Sequence, residues 1–138
     1  MSLDLPPAVI CDIDGTLAEH HRSPYDYASL HTDAVIRPIR TLVNIFNARW
    51  PIILVTGRPE DYRVGTEAWL ESHYIPYWGL FMRPSGDLRA DNIIKAEIYE
   101  RDIAPYWDVK YVLDDRDRVV KMWRGKGLTC LQVAPGDF

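Results

Sequence analysis

The chain has 138 residues, of which 47% are hydrophobic and 26% charged, and its formal net charge is −4. These values fit one globular domain with its own core, and the negative charge argues against sequence-blind nucleic-acid binding over a broad basic surface, although not against binding one terminal phosphate. Without an apolar run near the roughly 20 residues that span a membrane, or a leader-like start, we expect a cytoplasmic protein with no membrane partner. Cys11 and Cys130 lie in apolar runs, so we expect buried free thiols.

The first predicted element is the apolar run of residues 8–11, which is followed by Asp12, Asp14, Gly15 and Thr16. Such a run predicts a central parallel strand, and ligands bind beyond the carboxyl ends of such strands. Because side chains alternate, Asp12 and Asp14 should point to the same side. A calcium loop also begins with this spacing, but it needs a preceding helix and a glutamate at its twelfth position, which here is Ser23.

Residues 17–33 are polar and aromatic and predict a small flap over the strand end, carrying Arg22, Tyr25 and Tyr27. A helix of three turns is expected from Pro38 and should end near Trp50-Pro51. A buried strand at 52–55 follows and stops at a polar turn, Thr56-Gly57-Arg58-Pro59. The next predicted helix covers residues 60–72.

A third strand is predicted at 77–82, and a helix from Asp91 to residue 103 presents Lys95. Residues 110–113 form the next predicted strand, ending in Asp114 and Asp115, and a short helix at 119–123 and a strand at 128–133 follow. Strands alternating with helices predict a single α/β domain over residues 1–138 with a parallel, three-layer, Rossmann-like sheet and the flap as a minimal cap.

These strand ends carry the groups needed for phosphoryl transfer through a carboxylate nucleophile. Asp12 would attack phosphorus and Asp14 would serve as acid and base. Thr56, Arg58 and Lys95 would neutralise the phosphoryl oxygens. Because several carboxylates repel a phosphate dianion, a magnesium ion is expected. The candidate ligands are Asp12, Asp14, Asp114 and Asp115.

The order D-x-D-G-T, T-G-R, Lys and D-D resembles the haloacid dehalogenase (HAD) superfamily of aspartate-nucleophile phosphatases. Within it the chain is similar to the 3′-phosphatase domain of phage polynucleotide kinase-phosphatases, although it has no kinase P-loop motif. The similar segments are residues 12–17, 22–26, 91–95, 103–105, 108–110, 122–124 and 132–138.

The resemblance implies a magnesium-dependent hydrolase that removes 3′-phosphates from DNA or RNA ends, nucleotides or 2′,3′-cyclic phosphates, with a separate kinase or ligase as a partner in repair. It implies that Asp91 orients Lys95 from one helical turn away. Thr56 replaces a serine of the phage domain, and Asp117 has no assigned role. The implied substrate-binding residues are Arg22, Arg58, Thr56, Gly57 and Asp91.

Two other functions remain open from the sequence. The chain could be a phosphatase for a small metabolite, or a non-catalytic module that binds a metal-phosphate group. Arg58 could instead be a surface residue at a helix start, and Arg83 and Arg89 are expected to be loop charges. Stacking on a base is expected for Tyr25 and Tyr27, whereas Trp78 and Trp123 are expected in the core.

Overall fold

The computed structural model describes residues 4–19 and 30–138. The predicted flap falls largely between these ranges, so the expectations for Arg22, Tyr25 and Tyr27 lie outside the described residues. Of the flap, Leu17 and Ala18 are buried, and Ala18 forms a bridge to Val35.

Five strands form one parallel sheet in the order β3-β2-β1-β4-β5, which confirms the predicted α/β class. The strands are β1 (Pro7–Cys11), β2 (Ile52–Pro59), β3 (Gly79–Arg83), β4 (Asp108–Asp114) and β5 (Cys130–Gln132). β1 is the central strand, as its continuous apolar run predicts. Cys11 lies level with Leu54 of β2 and Leu113 of β4, so Asp12 and Asp114 leave the sheet side by side.

Helices cover both faces of the sheet and complete three layers. They are α1 (Arg37–Asn47), α2 (Arg63–Ser72, after a 3-10 turn at Glu60–Tyr62), α3 (Asp91–Ile98, continued by a π turn at Tyr99–Ile103) and α4 (Asp117–Gly125). α1 and α2 pack against the face that carries Val9 and Cys11, whereas α3 and α4 pack against the face that carries Ala8 and Ile10. The alternation of side chains along β1 therefore serves both cores.

Both cysteines are free and buried, as expected. Trp123 is fully buried as predicted, but Trp78 is 59% exposed and meets the Trp107 ring edge-on at 4.9 Å between ring centroids. In the part of the chain described here, no helix is both long and apolar enough to cross a membrane.

The main difference from the predicted elements is the length of β2. The sequence predicts a turn at residues 56–59, but the strand continues to Pro59, with an irregular register between Thr56 and Pro59 against β3. This extension carries Arg58 into the interior, where it has no exposed surface.

Candidate active site

Four buried charged side chains meet beyond the carboxyl end of the sheet. Asp12 follows β1, Asp114 ends β4, Asp115 follows it, and Lys95 reaches them from α3. Each is at most 5% exposed. The sequence predicted this grouping because the ends of parallel strands share one edge of a sheet.

Lys95 joins two of the carboxylates. Its Nζ donates to Asp12 Oδ1 at 2.8 Å and to Asp114 Oδ2 at 2.9 Å. The other oxygen of Asp12 accepts a hydrogen bond of 3.1 Å from the Thr16 hydroxyl. Asp12 is thus held by a cation on one side and a neutral donor on the other.

Burial and crowding of charge set the electrostatics of this cluster. Desolvation, followed by the negative charge of Asp114, raises the pKa of Asp12 well above its usual value. Desolvation also raises the pKa of Asp115. Burial alone would lower the pKa of Lys95, but the charges of Asp114 and Asp12 reverse this and hold it above its usual value. Lys95 therefore stays an ammonium ion.

Asp114 has a fixed orientation because both of its oxygens accept hydrogen bonds. Oδ1 accepts from the backbone N–H of Asp115 at 2.9 Å, and Oδ2 accepts from Lys95 and, at 3.2 Å, from Nε1 of Trp123. The sequence did not reveal this role of Trp123, because a tryptophan in an apolar helical pattern already has a packing explanation.

The donor set of the cluster fits a hard divalent cation. Oxygens of Asp12, Asp114 and Asp115 lie within 4.8 Å of one another. Three carboxylates beside one ammonium leave two negative charges in excess, which a magnesium ion would balance. Gly15 allows this arrangement: its φ is +83°, and a Cβ there would stand 2.1 Å from Asp115 Oδ2.

Asp14 points to a different partner and lies outside this carboxylate group. Arg58 donates two hydrogen bonds to the Asp14 carboxylate, from Nε to Oδ2 at 2.9 Å and from Nη2 to Oδ1 at 2.7 Å. Nη2 also reaches Asp33 Oδ2 at 3.3 Å, and Nη1 reaches the Thr66 hydroxyl at 3.3 Å. The geometry therefore gives no support to the expectation that the Asp14 carboxylate binds the metal.

The structure also corrects the expected position of Arg58. Its side chain is neither on the surface nor facing the pocket, because the extended β2 buries it between Asp14 and Asp33. Burial alone would lower the pKa of Arg58, but the hydrogen bonds and negative charge of Asp14 raise it above its usual value. Arg58 is placed to hold Asp14 rather than to touch a substrate.

Thr56 and Gly57 are consecutive residues of β2 that differ in their access to the pocket over Asp12. The Thr56 hydroxyl accepts from the backbone N–H of Arg58 at 3.1 Å and is almost fully buried. Gly57 lines the pocket over Asp12. A Cβ at Gly57 would stand 2.6 Å from Asp91 Oδ1, so only glycine lets this backbone approach Asp91.

Asp91 makes ion pairs with two arginines that the sequence analysis did not place in the site. Arg83 Nη2 donates to Oδ1, and Arg116 Nη1 donates to Oδ2 at 2.9 Å. The negative charge of Asp91 helps to raise the pKa of Lys95. The Lys95 ammonium group donates its hydrogen bonds to Asp12 and Asp114 instead. The predicted helical spacing holds, but Asp91 orients the neighbouring arginines instead of bonding Lys95.

The segment 133–138 contributes Phe138 to the wall of the pocket. Gly136 O accepts from the backbone N–H of Asp117 at 2.7 Å, and the Phe138 ring lies 4.6 Å from the Arg116 guanidinium carbon. Phe138 and Arg116 both line the pocket, whose volume is about 40 Å³. That is room for a few water-sized groups, so the pocket can enclose a reacting group but not a nucleotide.

A parallel α/β sheet that delivers an aspartate nucleophile candidate, a lysine and further carboxylates from successive strand ends has the architecture of HAD-type phosphatases. Residues 6–138 match the family described as the polynucleotide kinase PNKP phosphatase domain. The chain therefore belongs to this phosphatase-domain family, whose members are phosphoric monoester hydrolases.

Known proteins and structures agree with this assignment. A putative bifunctional polynucleotide kinase/RNA ligase of Autographa californica nuclear polyhedrosis virus is 36% identical, over 86% of this chain and 18% of the relative. A chain in a Pnkp1/Rnl/Hen1 complex superposes with a TM-score of 0.95 at 40% identity, over 99% of this chain and 49% of that chain. A chain from a Pnkp1/Rnl/Hen1 RNA repair complex superposes with a TM-score of 0.94 at 41% identity, over 97% of this chain and 44% of that chain. The chain thus spans less than half the length of each.

Proposed function

We propose that this chain removes the 3′-phosphate from nucleic-acid ends, RNA ends foremost, through an aspartyl-phosphate intermediate. The observation that carries the proposal is the buried ion pair between Asp12 and Lys95 inside the three-carboxylate group, in a domain of the polynucleotide kinase-phosphatase family. One of the similar structures belongs to a Pnkp1/Rnl/Hen1 RNA repair complex, which favours RNA among the possible polymers.

Asp12 is the proposed nucleophile. Its oxygen forms a bond to phosphorus while the bond from phosphorus to the 3′ oxygen breaks, and Lys95 neutralises charge on the phosphoryl oxygens as it develops. Lys95 already contacts Asp12 at 2.8 Å, so it can hold the carboxylate in place before the phosphate arrives. Thr16 fixes the other oxygen of Asp12.

Asp14 is the proposed acid and base. In its protonated form Asp14 gives a proton to the departing 3′ oxygen. As the carboxylate it then takes a proton from the water whose oxygen bonds to phosphorus while the bond from phosphorus to Asp12 breaks, typically worth roughly 10²–10⁴-fold. Arg58 positions this carboxylate through its two hydrogen bonds. The backbone of Gly57, which lines the pocket, and the hydroxyl of the adjacent Thr56 are the proposed phosphoryl contacts, and Asp91 positions Arg116 in the same pocket.

Magnesium is the proposed cofactor, held by Asp12, Asp114 and Asp115. When bound, it would neutralise negative charge on the phosphate and on the carboxylates that surround it. The product, a 3′-hydroxyl end, is the group that a nucleic-acid ligase consumes. We therefore propose that the chain works with kinase and ligase activities, in line with the putative bifunctional polynucleotide kinase/RNA ligase to which it is similar.

The decisive experiment measures phosphate release from matched RNA and DNA oligonucleotides with 3′-phosphate, 5′-phosphate or 2′,3′-cyclic phosphate ends, and from sugar phosphates. We expect the wild type to act on 3′-phosphates and the Asp12→Asn variant to be inactive while keeping its circular dichroism spectrum. Asp108→Asn is the matched control, because Asp108 is exposed and pairs with Lys110 at the opposite end of β4.

Several results would contradict the proposal. Residual turnover by Asp12→Asn, beyond what deamidation could produce, would exclude Asp12 as the nucleophile. Faster turnover of sugar phosphates than of any oligonucleotide would show that the substrate is a small metabolite. Metal binding with no turnover of any phosphate ester would show that the chain is a non-catalytic module that binds a metal-phosphate group.

A further inference from the structure

A second, larger groove adjoins the pocket over Asp12. Its volume is about 420 Å³, within the range of small-molecule sites, and it shares Asp91 and Arg116 with the pocket. It runs from these two residues past the end of β2 to the loop before α3. Because the pocket itself has only about 40 Å³, the part of a nucleic-acid strand that lies beyond its reacting 3′-phosphate must extend out of the pocket, and this groove is continuous with it.

One cation in this groove has no partner among the described residues. Arg118 is exposed and makes neither a hydrogen bond nor an ion pair there. The other arginines of the groove differ: Arg83 and Arg116 pair with Asp91, and Arg89 pairs with Asp87 and Glu97. Four arginines and three aspartates line the groove, so it carries one positive charge in excess in a chain of net charge −4.

The position of Arg118 in α4 argues against a role in helix stability. It is the second residue of the helix, where the positive end of the helix dipole disfavours a cation. An unpaired arginine at this position gains nothing from α4 and is free to bind an anion.

The groove also presents apolar surface. Leu88 is 95% exposed and Tyr62 is 36% exposed, and both line it. An apolar surface beside an unpaired cation complements a nucleotide, in which a flat base adjoins a phosphodiester. Aromatic and apolar side chains contact bases of any sequence, whereas arginine binds the phosphate.

We propose that this groove binds the nucleotide that precedes the 3′-terminal one in a single-stranded nucleic acid, with its phosphodiester at Arg118 and its base against Leu88 and Tyr62. This inference rests on the proposed 3′-phosphatase function. It makes the protein an enzyme for polymer ends rather than for free nucleoside 3′-phosphates. Specificity then comes from a site next to the reacting phosphate, outside the catalytic cluster.

The test compares a short 3′-phosphorylated single-stranded RNA with a nucleoside 3′-monophosphate of the same terminal base. For Arg118→Glu we expect KM for the oligonucleotide to rise about tenfold with kcat unchanged, since one charge-assisted contact is replaced by repulsion. We expect KM for the mononucleotide to stay the same. The dependence of oligonucleotide KM on salt should become weaker by about one phosphate contact.

Arg49→Glu is the matched control, because it makes the same charge change on an exposed residue stacked on Trp50 before β2, at the opposite end of the sheet. Arg118→Lys should restore most of the wild-type KM. Leu88→Asp should also raise oligonucleotide KM only.

The two proposals fail in different ways. Two results would overturn the assignment of the groove but not the 3′-phosphatase activity. One is a wild type that hydrolyses both substrates with equal kcat/KM, and the other is an Arg49→Glu variant as impaired as Arg118→Glu. A wild type that hydrolyses neither substrate would overturn the proposed function itself, and the groove assignment with it.

Discussion

Asp12 and Asp14 are separated by one residue, yet their carboxylates meet different partners. Asp12 shares a buried site with Lys95 and two further carboxylates, whereas Asp14 is paired with Arg58 and its side chain is 21% exposed. Two carboxylates in contrasting environments can take the separate roles of nucleophile and acid/base. The alternation D-x-D at a strand end predicts the pair but not the partners that separate them.

Lys95 is predicted to be the main stabilising cation of the cluster. Lys95→Met should lower the free energy of unfolding by about 3–5 kcal/mol in magnesium-free buffer, because it leaves two buried carboxylates without their partner. Activity should be lost as well. Urea unfolding measures the stability change, and Lys110→Met at an exposed position should change it by less than about 0.5 kcal/mol.

A double-mutant cycle separates charge from packing at Lys95. If repulsion between uncompensated carboxylates causes the loss, Asp12→Asn in the Lys95→Met background should recover at least about 1 kcal/mol. Strictly additive effects of the two substitutions would show that Lys95 stabilises the domain by packing alone.

At the scale of elements, the sequence was informative where a single pattern decides the outcome. The apolar runs before Asp12 and Asp114 predict buried parallel strands, whose carboxyl ends share one edge of a sheet, and the structure pairs these strands as predicted. Arg58 could not be placed in this way, because T-G-R-P is typical of a turn. Its burial depends on Asp33 and Thr66, which come from distant segments with no local signal.

Contacts between the ends of different elements were also not predictable from the sequence. Lys95 was identified from its order relative to the carboxylates, and its helix is where the pattern predicts. The ion pairs of Asp91 with Arg83 and Arg116 were not identified, because they join a loop, a helix start and a strand end. Such contacts follow from tertiary packing rather than from periodicity.

The segment 133–138 is predicted to act as a structural brace for the loop after β4. A Cβ at Gly136 would stand 1.8 Å from the backbone oxygen of Asp115, so Gly136→Ala must displace the segment or the loop. We expect a loss of about 1–3 kcal/mol in stability and a lower kcat/KM, because Arg116 loses the Phe138 ring that lies over it. Hydrogen exchange should show faster exchange at Asp117, whose N–H is bonded to Gly136.

Gly125→Ala is the matched control for this substitution, because a Cβ there meets nothing within 4 Å. It should keep full activity and the wild-type exchange rate at Asp117. Unchanged stability and exchange in Gly136→Ala would show that the segment does not brace the loop.

At the scale of the whole molecule, negative charge is concentrated where an anionic substrate has to react. The chain has a net charge of −4, and its buried cluster holds three carboxylates beside one lysine. Arg116 and the unpaired Arg118 provide positive charge at the rim. In the proposed mechanism the substrate approaches along the groove, and a cation balances the charge of the cluster before a phosphate enters it.

This arrangement predicts that magnesium stabilises the folded protein. Because only the folded chain gathers the three carboxylates, magnesium at about 100 times its Kd should add roughly 2.7 kcal/mol to the free energy of unfolding. Differential scanning calorimetry after chelator treatment, with and without magnesium, should show the melting temperature rise with magnesium concentration. Asp115→Asn should remove most of this rise, since Asp115 contributes an oxygen to the group, whereas Asp108→Asn should keep it. An equal magnesium effect in both variants would place the ion elsewhere, and no effect in the wild type would mean that Lys95 alone balances the cluster.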